Sequence, residues 1–216
     1  MMIQIYYILL SLGLLILPKI ERYSYINFAN EKVKTKAYNA WNVENVMLQV
    51  QVTLENMQEY RHVEKPGWKL SWHWLNQEVI WDMKGAETTE QGNCSAFASS
   101  GNLPHCCLER PTIVDLLPGA SLNVQVANCC RGGVLTSMSQ DHANHVSAFH
   151  MTVGSSPDGP EEFNMPSNFD IGVPGYSCDN ATSVSPTKFS TDKGRRKTQA
   201  LGNQNYINCN IITKRS

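Results

Sequence analysis

Closely spaced tryptophans are the side chains of this 216-residue chain whose type and spacing best fit ligand binding. Trp68, Trp72 and Trp74 are spaced four and two positions apart, so an extended strand would place the three indoles on one face. Such a row would stack on the apolar faces of pyranose rings, as in cellulose or another β-1,4-glucan. We predict a carbohydrate-binding set of these three residues, with Tyr60 and Trp81 as supports. The alternative is that the indoles fill the core, where tryptophan is highly buried on average.

Catalytic and metal-binding chemistry is less well represented. Glu78 and Asp82 would lie roughly 13 Å apart on one strand face, whereas paired glycosidase carboxylates stand about 5 to 10 Å apart. His142, His145 and His150 have spacings that occur in zinc sites, but their segment is rich in Ser, Asn and Asp, which is typical of a surface loop. We therefore predict no enzyme, no metal site and no cofactor, with a glycan hydrolase as a distant alternative.

The chain carries little charge, with a net charge of -1 at pH 7 and 17% charged residues. So weak a field does not favour nucleic acid or an acidic membrane surface as a partner, and it indicates an uncharged ligand. A basic cluster at Lys193–Lys197 is interpreted as a solvated turn, with contact to acidic pectin as a minor hypothesis.

Cysteine usage points to disulfides. No pair has the C-x-x-C spacing of a zinc or redox motif, and the odd count leaves one thiol over, with the pairing open. Neighbours on a strand face opposite ways, so we expect each adjacent pair to send its bridges in two directions. The seven disulfide candidates are Cys94, Cys106, Cys107, Cys129, Cys130, Cys178 and Cys209.

The N-terminal segment predicts export. Residues 1–18 form an apolar, signal-like run, which is either a cleaved signal peptide, an uncleaved anchor or a wrongly assigned start of the chain. The polar residues 19–37 that follow are interpreted as a tether. Asn180 and Asn93 each begin an N-x-Ser/Thr triplet and are candidate glycosylation sites. The folded domain is predicted over residues 38–212, followed by a tail at 213–216.

Strand patterns dominate the predicted domain. Val46 to Glu55 alternates apolar and polar residues, which predicts a half-buried strand. The β-prone runs Trp68–Leu75 and Glu78–Met83 are separated by two residues and predict a tight hairpin. With further short strands and turn clusters downstream, the pattern predicts an all-β fold, a single disulfide-stapled antiparallel β-sandwich that is immunoglobulin-like or carbohydrate-binding-module-like.

Several phrases, in order from about Val46 to Cys209, resemble the COBRA family of plants. They are Gln58–His62, Pro66–Trp74, Glu78–Trp81, Gly85–Cys94, Pro104–Cys107, Asp115–Gly119, Asn128–Gly133, Pro174–Cys178 and Arg195–Leu201. The resemblance implies an extracellular protein of the cell wall or outer plasma-membrane face that acts in cellulose microfibril organisation and oriented cell expansion. It also implies that the aromatic N-terminal part is a cellulose-binding module, with a wall-assembly protein without direct glycan binding as the alternative.

Departures from the family pattern qualify these expectations. Tyr38–Val43 replaces the family's opening Trp-Asp-Val phrase, so a first edge strand is expected to be missing. The family attaches to the membrane through a glycosylphosphatidylinositol anchor, whose apolar signal does not precede Ser216, so this chain is not expected to carry the lipid. The seventh cysteine is then expected to find its partner in a further domain.

Overall fold

The structure is a computed structural model that describes residues 24–34, 46–155, 163–184, 188–191, 196–199 and 203–212. The predicted signal-like segment, Tyr38–Val43, the start of the basic cluster and the tail lie outside the described residues. In the ranges given, no helix is long and apolar enough to cross a membrane.

The described residues are almost entirely strands and turns. Two short 3-10 helices, at Ser95–Ser100 and Leu122–Val124, lie in the connections. The strands are β1 (Ser24–Lys34), β2 (Val46–Glu55), β3 (Lys69–His73), β4 (Glu78–Lys84), β5 (Ala86–Thr88), β6 (Thr112–Asp115), β7 (Val146–Ser155), β8 (Ser167–Asp170), β9 (Tyr176–Cys178), β10 (Thr182–Val184), β11 (Lys188–Thr191), β12 (Arg196–Gln199) and β13 (Asn203–Ile211).

The larger sheet has the strand order β10-β13-β1-β2-β7-β4, with β9 also paired to β13. Its central strand β2 follows the alternation in the sequence, because Val50 and Val52 are buried while Gln49 and Gln51 are exposed. Antiparallel pairing in register with β7 sets Val52 opposite Phe149, so the apolar residues of both strands share one face. That face is the inner wall of the core.

A four-stranded sheet, ordered β5-β6-β3-β8 and called here the smaller sheet, covers this wall, while β11 and β12 pair with each other in a separate two-stranded sheet. Leu70 and Ile113 from the smaller sheet join Val52 and Phe149 from the larger one in a single buried cluster. Trp68 stacks on Phe149 with 6.0 Å between ring centroids, which joins the segment before β3 to β7. The predicted all-β, antiparallel fold is confirmed, with its core between two sheets.

The predicted hairpin of β3 and β4 is wrong. β3 pairs with β6 and β8, whereas β4 pairs with β7 in the other sheet. The chain changes sheets through a turn in which the buried Glu78 carboxylate accepts the Asn76 backbone N–H at 2.8 Å and its side-chain amide at 3.1 Å. A short linker permits a hairpin, but a carboxylate that closes the turn also permits a sheet change.

The predicted tether contains a strand. Ser24–Lys34 forms β1, which pairs with β2 on one side and β13 on the other and therefore lies inside the larger sheet. Its register places Ile26 and Phe28 beside Leu54 and Val52, the core positions of β2. The polar composition of residues 19–37, which predicts a tether, obscures a short alternation of apolar and polar residues between two charged stretches.

The fold contains three disulfides. Cys94 is bonded to Cys107, and Cys178 is bonded to Cys209, which joins β9 to β13. Cys129 and Cys130 are bonded to each other, which contradicts the expectation that each adjacent pair sends bridges in two directions. The two lie in a loop with positive φ at Asn128 (66°) and Cys130 (75°), so the strand geometry assumed for them does not apply.

Cys106 is the cysteine that the three disulfides leave free, and it is buried in the core. Its backbone forms an isolated bridge with Ile80 of β4. A partner in a further domain would have to reach the interior of this one, so the structure does not favour that expectation.

Candidate functional site

The three tryptophans of the predicted stacking row lie in the core. Trp68, Trp72 and Trp74 have exposed fractions of 2%, 0% and 3%. Trp72 packs edge-on against Trp74 with ring centroids 5.3 Å apart, and it also contacts Phe169 of β8 at 6.3 Å. The indoles share the inner face of the smaller sheet, so they form no exposed row for a polysaccharide. The alternative interpretation, core burial, is what the structure shows.

Trp81 is separated from that cluster. It lies at an irregularity in the pairing of β4 with β7 and is half-buried on the outer side of the larger sheet. Its ring packs edge-on against Phe97, 5.3 Å away, beside the Cys94–Cys107 disulfide. Trp81 therefore holds the short 3-10 helix against the sheet and does not join Trp68, Trp72 and Trp74 on one surface.

Tyr60 is the member of the predicted carbohydrate-binding set that the structure exposes, with 77% of its surface accessible. It lines a groove of about 730 Å³ between residues 60–67 and residues 172–174. We call this space the Tyr60 groove. Its walls combine an aromatic ring and two prolines with the polar side chains Arg61, His62, Glu64 and Lys65.

The first wall is fixed to the fold from beneath. Val63 exchanges two backbone hydrogen bonds with Leu135, at 2.8 and 3.0 Å. The buried side chain of Asn56 donates to the carbonyls of Arg61 at 2.8 Å and of Thr136 at 2.9 Å. These bonds anchor a segment with no regular strand of its own, so the groove is a formed feature of the fold.

Gly67 ends the first wall against a loop. Its φ of +88° suits glycine, and a Cβ there would lie 2.2 Å from the Gly132 carbonyl oxygen. The loop is held in turn by the buried Asp115 carboxylate, which accepts three backbone N–H bonds, from Cys130 at 2.8 Å, Arg131 at 2.9 Å and Gly133 at 3.0 Å. The bonded Cys129–Cys130 pair thus belongs to the structure behind the groove.

Two polar side chains of the groove, Arg61 and His62, are oriented by specific contacts. Arg61 donates from Nη2 to the Pro174 carbonyl at 2.9 Å, and its guanidinium lies over the Tyr176 ring, 5.1 Å from the centroid. His62 accepts the Ser137 backbone N–H at Nδ1, 3.0 Å away, so the neutral ring carries its proton on Nε2. Arg61 bridges the two walls, because Pro174 belongs to the second one.

This arrangement is suited to binding. An exposed phenol ring offers an apolar face for a sugar, and the guanidinium, imidazole, ammonium and carboxylate groups offer hydrogen bonds to hydroxyls. Sequence reasoning singled out Tyr60 but missed Arg61, His62 and Lys65. The available signal was the run from Tyr60 to Gly67, in which polar side chains precede a Pro-Gly pair.

The remaining candidate residues are dispersed. Asn180 is exposed, and so is Asn93, whose side-chain oxygen accepts the Ser95 N–H at 3.0 Å beside the bonded Cys94. His142 and His145 contact each other edge-on at 5.8 Å. Over the residues that the structure describes, no group of three or more His, Cys, Asp or Glu side chains is placed to hold a metal ion.

Fold and groove together define a disulfide-linked β module with its core between two sheets and a formed surface groove. Residues 48–212 match the family model of the COBRA N-terminal domain, which is more than half of the chain. The chain therefore belongs to the COBRA family.

Individual relatives agree with this assignment. The chain is 54% identical over 153 residues to COBRA-like protein 1 of Arabidopsis thaliana, and 51% identical over 152 residues to Protein COBRA of the same plant. It is 50% identical over 152 residues to COBRA-like protein 3 of Oryza sativa subsp. japonica. Each match covers 69% of this chain and 33% of the relative. The chain spans about a third of the length of these curated relatives.

Proposed function

We propose that this chain is a non-enzymatic, extracellular cell-wall module that binds a β-1,4-glucan chain in the Tyr60 groove and acts in cellulose microfibril organisation. The observation that carries the proposal is the exposed Tyr60 ring at the edge of a formed groove in which the Arg61 and His62 side chains are already oriented. Aromatic stacking combined with directed hydrogen bonds is the arrangement that recognises pyranose chains.

Several features support the extracellular part of the proposal. Three disulfides suit an oxidising compartment, and family membership is consistent with wall placement. The exposed Asn180 and Asn93 would be open to glycosylation there.

A depletion assay on microcrystalline cellulose tests the proposal. Wild type and Tyr60→Ala are incubated with increasing cellulose, and the protein left in solution is measured. We expect Tyr60→Ala to weaken binding about tenfold, since one ring stacked on a sugar contributes on the order of 1 to 1.5 kcal/mol. Leu75→Ala is the matched control, because Leu75 is an exposed apolar residue that does not line the groove.

A second candidate is a wall-assembly protein that acts through protein contacts and has no direct affinity for glycan. The burial of Trp68, Trp72 and Trp74 favours it, because the indoles that best fit a glycan are committed to the core. Wild type that remains in solution at every cellulose concentration would support this candidate and reject glucan binding. Release of reducing sugar by the purified wild type would point to a hydrolase.

A further inference from the structure

We propose that the Tyr60 groove selects glycan chains that carry carboxylates, as the acidic matrix polysaccharides of a wall do, over neutral chains of the same backbone. This inference rests on the proposed function, because it uses the same groove and specifies the ligand class that the groove prefers.

Arg61 is the charged residue that joins the two walls of the groove. Among the residues that the structure describes, Arg61 contacts a carbonyl oxygen and an aromatic ring, and neither neutralises the guanidinium charge. Of the five N–H donors of an arginine, the Pro174 carbonyl accepts one, and the Arg61 residue is exposed. A guanidinium presents its donors as a planar fork that matches a carboxylate, and an arginine held in place loses less entropy on binding one. Arg61 is therefore a pre-oriented anion site at the junction of the two walls.

The rest of the groove reinforces its positive character. Lys65 is an exposed second cation on the same wall, and His62 presents its Nε2–H as a further donor. Glu64 is the one carboxylate among the residues that line the groove, so the lining carries one positive charge in excess, while the whole chain carries a net charge of -1. The positive charge is a local feature of the groove and not a property of the whole surface.

A uronate chain would use both features of the groove at once. In a β-1,4-linked glucuronan the backbone is that of cellulose, and a carboxylate replaces the hydroxymethyl group at C6. Tyr60 would stack on the ring of one sugar while Arg61 pairs with a carboxylate of the chain. A neutral glucan would keep the stacking and the hydrogen bonds to hydroxyls but would lack the charge pair.

Calorimetric titration of the full chain with two oligosaccharides of equal length tests this preference. The ligands are cellohexaose and the β-1,4-linked hexamer of glucuronic acid. We expect the glucuronan to bind about fivefold more tightly at low salt, which is the size of an exposed charge pair. The advantage should shrink at about 1 M salt, where the screening length is only about 3 Å.

Substitutions of the groove cations test which side chains produce the preference for glucuronan over cellohexaose. Arg61→Gln should weaken glucuronan binding more than cellohexaose binding, and Lys65→Gln should do the same to a smaller extent. Lys65→Gln is also the safeguard if Arg61→Gln folds poorly, since Lys65 is an exposed side chain of the wall. Arg110→Gln removes an exposed arginine outside the groove and should leave the ratio of the two affinities unchanged.

The outcomes separate the two proposals. Equal affinity for the two hexamers, or an affinity ratio that Arg61→Gln and Lys65→Gln both leave intact, overturns the charge preference and keeps glucan binding. Binding of neither hexamer overturns both proposals. Tighter binding of the uronate that depends on these two cations supports the inference.

Discussion

Replacing Trp72 with alanine distinguishes a tryptophan of the core from a tryptophan of a binding surface. The side chain is fully buried, and a buried indole removes roughly 200 Å² of surface from water. At about 25 cal/mol per Å², that area corresponds to about 5 kcal/mol, and measured truncations of buried aromatic residues cost about 3 to 5 kcal/mol. We expect Trp72→Ala to lower the free energy of unfolding by about 4 kcal/mol. For a domain of this size the melting temperature should fall by about 12 °C.

Urea and thermal unfolding followed by far-ultraviolet circular dichroism measure this loss. Tyr60→Ala serves as the reference, because its ring is 77% exposed and its removal should change stability by less than about 0.5 kcal/mol. A Trp72→Ala variant with the wild-type melting temperature and greatly reduced cellulose binding would refute the reasoning. That result would mean that the indole faces solvent and stacks on the glycan.

Three further predictions concern the rest of the fold. Asp115→Asn should lower the free energy of unfolding, measured in urea, by about 2 to 3 kcal/mol. The reason is that Oδ2, which accepts the Arg131 and Gly133 N–H groups, is replaced by an amide NH₂ donor. An unchanged urea midpoint would contradict this prediction. Burial raises the pKa of the Cys106 thiol and shields it, so a thiol reagent should label the native oxidised chain only after denaturation; rapid native labelling would count against a buried thiol. Partial desolvation and, secondarily, the charge of Lys84 lower the pKa of His150, so the unfolded chain binds this proton at a higher pH than the folded chain does. The free energy of unfolding should therefore fall as the pH drops through about 6.5. His150→Gln should reduce that fall, and a pH profile identical to that of wild type would argue against the assignment.

The strand content of this fold could be predicted because it is a local property. The alternation from Val46 to Glu55 specifies a half-buried strand regardless of what it pairs with, and β2 has those bounds. The sheet that each strand joins is decided by distant partners. β3 and β4 are close in sequence but pair with β8 and β7, and no local signal distinguishes that arrangement from a hairpin.

The candidate site was only partly predictable for a related reason. Even spacing correctly placed Trp72 and Trp74 together, but spacing does not show whether the shared face points to solvent or to a second sheet. The cysteines illustrate the same limit, because adjacent residues face opposite ways only in an extended chain. The Asn128–Gly133 loop has positive φ angles, and these allow Cys129 to bond Cys130.

The central claim is that a β-1,4-glucan binds in the Tyr60 groove. An NMR titration of the ¹⁵N-labelled full chain with cellohexaose tests it most directly, because each backbone amide reports separately. Glucan binding should produce saturable shifts confined to the backbone amides of the non-proline residues in 60–67 and 172–174 and of their neighbours, with little change at Gln49 and Gln51 on the outer face of the larger sheet. Shifts centred on Trp81 and Phe97, or no shifts at high ligand concentration, would contradict it.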